Sequence, residues 1–109
     1  MFKDKMINRM MAVMALWLIE KRERSGYEIM KVYREEGMPH MAAASRIYPL
    51  LARMEKDGLV KRKLGKGRRT NYVYTITKKG ESTLKNVSAH ISAGLRGKFL
   101  REMLAGGRE

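Results

Sequence analysis

The sequence predicts a mainly α domain with a small β-hairpin wing (α+β), a winged helix-turn-helix followed by a C-terminal dimerisation helix. Three observations predict it. Ile47, Leu50, Leu51 and Met54 recur at the i, i+3, i+4, i+7 spacing of one helix face. Two strand-like runs follow, Leu59 to Leu64 and Thr70 to Ile76, joined by the glycine-hinged basic tip Gly65-Lys66-Gly67-Arg68-Arg69. Charge is the third: Lys and Arg number 24 against 11 Asp and Glu, for a net charge of +13. Residues 61–109 hold 13 basic and 3 acidic groups, whereas residues 1–60 hold 11 and 8. An excess that begins at the hairpin suits a polyanion-binding surface better than a general solubility device.

The helix around Ile47 carries the functional signal. Ser45 is placed to cap its N-terminus and Gly58 to stop it, with Pro49 in its first turn. At 100° per residue, Ser45, Pro49, Ala52 and Lys56 fall opposite the apolar stripe, with Arg46 and Arg53 on one shoulder and Tyr48 on the other. Such a face is small, basic and nearly free of acids. It can lie close against a polyanion.

At 109 residues the chain is expected to form one compact unit with a modest core. Residues 1–77 read as the winged helix-turn-helix, 78–105 as the dimerisation helix and 106–109 as a disordered tail. The sequence contains no cysteine, which fits a reducing cytoplasm and leaves no disulfide or thiolate metal site. The apolar run Met10 to Ile19 is too short to span a bilayer, so no membrane association is expected. Lys3, Lys5 and Arg9 before it invite a signal-peptide reading, but Glu20-Lys21-Arg22-Glu23-Arg24 follows directly without a small-residue cleavage site.

The first helix is expected from Met6 to about Arg22. Ile7, Met11, Met14 and Leu18 share one face, and Met10, Val13, Leu16 and Trp17 extend the apolar surface around it. A small domain covers one face of such a helix; the rest points to a partner subunit through Met10, Met14 and Trp17. A Met-rich pocket with Trp17 stacking on a bound molecule is the alternative.

Ser25-Gly26-Tyr27-Glu28 is a capping-box pattern opening a second helix to about Glu36. Gly37-Met38-Pro39-His40-Met41 then breaks the chain. Met38, His40 and Met41 could be drawn as a soft copper(I) site; a proline turn with a chance histidine is the simpler reading, and neither metal nor cofactor is expected. In the second strand Tyr72, Tyr74 and Ile76 alternate against Asn71, Val73 and Thr75, giving one buried face. Thr77 can cap the last helix, where Leu84, Val87, Ile91 and Leu95 repeat like a coiled-coil seam. That helix has no obvious place in a small core, so pairing with a second copy is expected, with a kink or break near Gly94 and Gly97. Phe99, Leu100, Met103 and Leu104 add a last apolar patch.

Catalysis is not expected. His40 and His90 are the only histidines, and no nucleophile elbow or phosphate-loop glycine pattern occurs.

Four segments together resemble the PadR-like transcriptional regulators: Gly26-Tyr27-Glu28-Ile29, Ile47-Tyr48-Pro49-Leu50-Leu51, Glu55-Lys56-Asp57-Gly58-Leu59-Val60 and Tyr74-Thr75-Ile76-Thr77-Lys78-Lys79-Gly80. They keep that family's order over roughly residues 7–85. The resemblance implies a homodimeric repressor whose first and C-terminal helices build the dimer. It also implies that the Tyr-Pro helix enters the major groove of double-stranded DNA while the wing meets backbone or minor groove. A small aromatic ligand at the dimer interface is implied as well. The wing reads Gly67-Arg68-Arg69-Thr70-Asn71, a departure from the family's Gly-Arg-x-Arg run.

On a duplex, Arg46, Arg53 and Lys56 would reach base edges or adjacent phosphates, from a face that begins at Ser45, with Tyr48 and Pro49 in apolar contact. Lys66, Arg68 and Arg69 would hold phosphates or enter the minor groove. The rival readings are a non-specific or architectural nucleic-acid binder, RNA included, and a protein-interaction module.

Overall fold

The computed structural model describes residues 2–65 and 72–96, with side chains described for 8–65 and 72–90. Four helices and one antiparallel hairpin follow in the order α1 (Phe2–Lys21), α2 (Gly26–Glu35), a 3-10 turn (Pro39–Met41), α3 (Ala44–Lys56), β1 (Val60–Leu64), β2 (Tyr72–Ile76) and α4 (Lys78–Arg96). This is the winged helix-turn-helix with an added C-terminal helix.

The core forms where α1, α2 and α3 meet above the base of the hairpin. Met11, Ile29, Tyr33, Ile47, Leu51 and Val60 are its most completely buried side chains. α1 buries Met11, Ala15, Leu16, Leu18 and Ile19 within the protomer, more of its circumference than its four-residue stripe required. Tyr33 brings a polar tip to the centre, where its hydroxyl donates to the Met11 carbonyl at 2.6 Å. Burial pushes its phenol well above the ordinary tyrosine range, so it stays a neutral donor.

The capping box is formed in full. Ser25 Oγ accepts from the Glu28 amide at 3.1 Å, and Glu28 Oε1 accepts from the Ser25 amide at 2.9 Å. That amide holds the Glu28 carboxyl below the usual carboxylate range. Gly58, with φ of +79°, takes the left-handed conformation that ends α3.

Other expectations need correction. α3 starts at Ala44, capped by Ala43 without any side-chain hydrogen bond, so Ser45 is not the N-cap. The 3-10 turn holds Met41 and Ala42 in the core, and the chain becomes helical directly after it, with the Arg46 and Ile47 amides both 3.0 Å from the Ala43 carbonyl. Pro49 therefore sits in the second turn rather than the first. Its missing N–H leaves the carbonyl of exposed Ser45 without its helical partner. In the 3-10 turn, Met41 faces the core while His40 is exposed, so the two do not converge.

The hairpin pairs Val60 with Ile76 through Leu64 with Tyr72. Its base has a third partner that no sequence pattern announced. Arg24 bridges Tyr74 on the free edge of β2, with Tyr74 N–H donating to the Arg24 carbonyl at 2.8 Å and Arg24 N–H donating back at 3.3 Å.

α4 starts at a formed cap: Thr77 Oγ1 accepts from the Gly80 amide at 3.0 Å and donates to the Gly58 carbonyl at 2.6 Å. The helix packs on α1 and β2 through Leu84, only 4% exposed in a single chain. Leu84 thus belongs to the protomer's own core, because this small domain does find room for the first turns of α4. Val87 is half-buried, and the Ile91 and Leu95 side chains lie outside those described. The helix is continuous through Gly94 to Arg96, without the expected break there; Gly97, the patch from Phe99 to Leu104 and the tail lie outside the described residues.

Candidate nucleic-acid interface

α3 presents its outer face as the helical wheel requires. With Ile47, Leu51 and Met54 buried, the opposite side exposes Ser45, Tyr48, Pro49, Ala52, Arg53 and Lys56, while Arg46 is half-buried on one shoulder. Arg53 Nε lies 3.3 Å from Asp57 Oδ2, one helical turn on. An exposed pair of this kind is worth about 0.3–0.5 kcal/mol, so Arg53 gives it up readily for a phosphate or a base edge.

Tyr48 has two attachments. It is 46% exposed, yet its ring lies directly over Gly26 at the start of α2. A Cβ added at Gly26 would stand 2.6 Å from Tyr48 Cε1. The glycine therefore gives the ring a flat seat, and the ring is held out from α3 at a fixed angle. The tyrosine thus packs against α2 while about half of it stays exposed.

On the hairpin, Arg62 lies over the Tyr72 ring with its guanidinium carbon 4.3 Å from the centroid, and Nε is 4.0 Å from Glu55. Lys63 pairs with Glu23 at 2.8 Å. These exposed contacts link the hairpin's flank to α3 and to the α1–α2 connection. Lys61, Arg62 and Lys63 are exposed basic residues that motif reading passed over; their signal was the unbroken basic run within β1 itself. Lys66, Arg68 and Arg69 lie outside the described residues.

Residues 15–86 match the PadR-like family of transcriptional regulators. The chain belongs to that family. Solved structures agree on the fold of this PadR-like protein. A PadR-like transcription factor from Bacteroides fragilis superposes with a TM-score of 0.76 at 23% identity, over 96% of each chain. A PadR family transcriptional regulator from Eggerthella lenta gives 0.71 at 24% identity, over 91% of this chain and 88% of that one. A PadR-like transcriptional regulator from Bacillus cereus gives 0.67 at 27% identity, over 86% of this chain and 99% of that one. No curated protein sequence matches it. The PadR-like chain is thus a transcriptional regulator of a DNA-binding family, one of regulators and not of enzymes. Among its described residues no helix is long and apolar enough to cross a membrane.

Gly26→Ala tests the ring's seat. The new methyl must displace the free end of an exposed ring, which costs the fold little, and alanine improves the helix start. Stability should move by less than about 1 kcal/mol, while duplex affinity falls roughly tenfold for one lost contact. Thermal melting and anisotropy titration measure the two; unchanged affinity would show that the ring's angle does not matter.

Proposed function

We propose that this PadR-like regulator is a cytoplasmic homodimeric repressor, without catalytic activity, that reads a two-fold operator in double-stranded DNA. The observation that carries the reading is the exposed face of α3, on which Ser45, Tyr48, Pro49, Arg53 and Lys56 stand together with Arg46 at the shoulder. Asp57, at the helix end beside Arg53, is already paired with it. Residues 1–77 would supply one reading head and residues 78–105 the pairing helix. The wing residues Lys66, Arg68 and Arg69 would hold the adjacent backbone, with half-sites about one helical turn apart.

Support for pairing comes from α1. Met10 is 51% exposed and Trp17 50% exposed, and with Met14 they form an apolar stripe at helical spacing. Val87, Ile91 and Leu95 of α4 would extend it. A small aromatic ligand would find its place where Trp17 borders the open hollow between α1 and α4. Lys21 already stacks on that ring, 5.1 Å from the centroid.

The test is anisotropy binding to the duplex upstream of the gene and to a shuffled copy, near physiological salt. A preference of about a thousandfold is expected for a sequence-reading regulator. Arg53→Ala should cut that preference by roughly tenfold or more, as loss of one base contact does. Equal, steeply salt-dependent binding to both duplexes would replace the regulator with an architectural binder. No duplex binding at all would leave a protein-interaction module.

A further inference from the structure

A groove runs between the N-terminal half of α1 and the shoulder of α3. Asn8 and Arg9 line it from α1; Arg46, Leu50 and Arg53 line it from α3, with Asp57 at the far end of that helix. Three guanidinium groups therefore border one open channel against a single carboxylate, which Arg53 already engages at 3.3 Å. Among the described side chains, neither Arg9 nor Arg46 has a carboxylate within 4.0 Å. A planar guanidinium facing solvent is suited to bidentate phosphate contact.

The two flanks of α3 differ. On one, the Tyr48 ring closes against Gly26 of α2. On the other, α1 stands off far enough to leave the groove open, and that flank is the basic one. When a helix occupies the major groove, the sugar-phosphate strands bounding that groove run along its flanks, and the open flank is where one can be received. We propose that the α1–α3 groove seats a phosphodiester strand of the duplex, and that Arg9, on α1 and outside both α3 and the wing, is a backbone-contact residue. Arg46 holds the same strand from the opposite wall. Asn8 offers a neutral amide donor beside it. The proposal rests on the insertion of α3 described above. It adds an element of the protein to the contact surface.

The test uses the full chain with a mixed-sequence DNA duplex and with the duplex upstream of the gene, titrated across a range of salt concentrations. Arg9→Gln should weaken both complexes by the same factor and lower the slope of log affinity against log salt by about one per protomer. Arg9→Lys, which keeps the charge, should retain the slope. Arg9 is exposed, so the melting temperature serves as the control for folding. An Arg9→Gln slope equal to wild type, while Arg53→Ala still loses its preference, would overturn the groove and leave the α3 reading in place. A wild-type chain that binds neither duplex would overturn that reading itself, and the groove with it.

Discussion

Gly80→Ala is expected to lower the melting temperature by roughly 20 °C. In an exposed helix the same change would stabilise by about 1 kcal/mol, so the sign depends wholly on where α4 begins. A Cβ at Gly80 would overlap the Leu59 carbonyl oxygen and stand 2.8 Å from Ile76 Cγ1. The carbonyl cannot retreat, because it accepts from the Thr77 amide at 3.1 Å and lies 3.1 Å from the Thr77 hydroxyl. That hydroxyl also accepts from the Gly80 amide at 3.0 Å. Moving any one group breaks the others, which puts the cost at about 4 kcal/mol, in the range where a single change is diagnostic. A circular-dichroism melt decides it. A drop of only a few degrees would mean that α4 can lift from the hairpin base without disturbing the rest.

Leu84→Glu should abolish cooperative folding, not merely separate two subunits. Removing the leucine from a filled site costs about 2–5 kcal/mol, and the carboxylate adds the cost of burying an unpaired charge. Trp17→Glu is the contrast: its ring is half exposed in the protomer, so the variant should keep its fold and sediment as a monomer. Sedimentation velocity with a parallel melt separates the outcomes. A folded, monomeric Leu84→Glu variant would show that α4 contributes to pairing and not to the protomer core. A dimeric Trp17→Glu variant would move the interface away from the α1 stripe.

Local patterns were legible in the sequence wherever one residue's chemistry sets the backbone near it. The Ser25–Glu28 box, the Gly58 stop and the Thr77 cap each act within a few residues, and each formed. The core face of α3 follows from period alone. Features that depend on distant chain were not legible. Ser45 looked like a cap because hydroxyls cap helices; the start was fixed instead by how the preceding turn buries Met41 and Ala42. Leu84 looked like part of a seam because its repeat continues into Val87, and only the fold shows α1 waiting beneath it. Arg24, set in a run of alternating charges, carried no sign of a strand partner fifty positions on. At the interface, the outer face of α3 could be drawn from a wheel, whereas Arg9 joined it through the packing of α1 against α3.

The bridge between Arg24 and Tyr74 also bears on the lifetime of a DNA complex. β2 is bonded on one edge to β1 and on the other to the segment entering α2, so its base cannot swing without breaking two extra main-chain hydrogen bonds. In the proposed complex, helix and hairpin would therefore meet the duplex as two arms of one chelate. Once the first arm lands, the second is already aimed, at a high effective concentration and with little orientational entropy left to lose. Release then requires both arms to let go together. The bridge should act on residence time far more than on the speed of arrival.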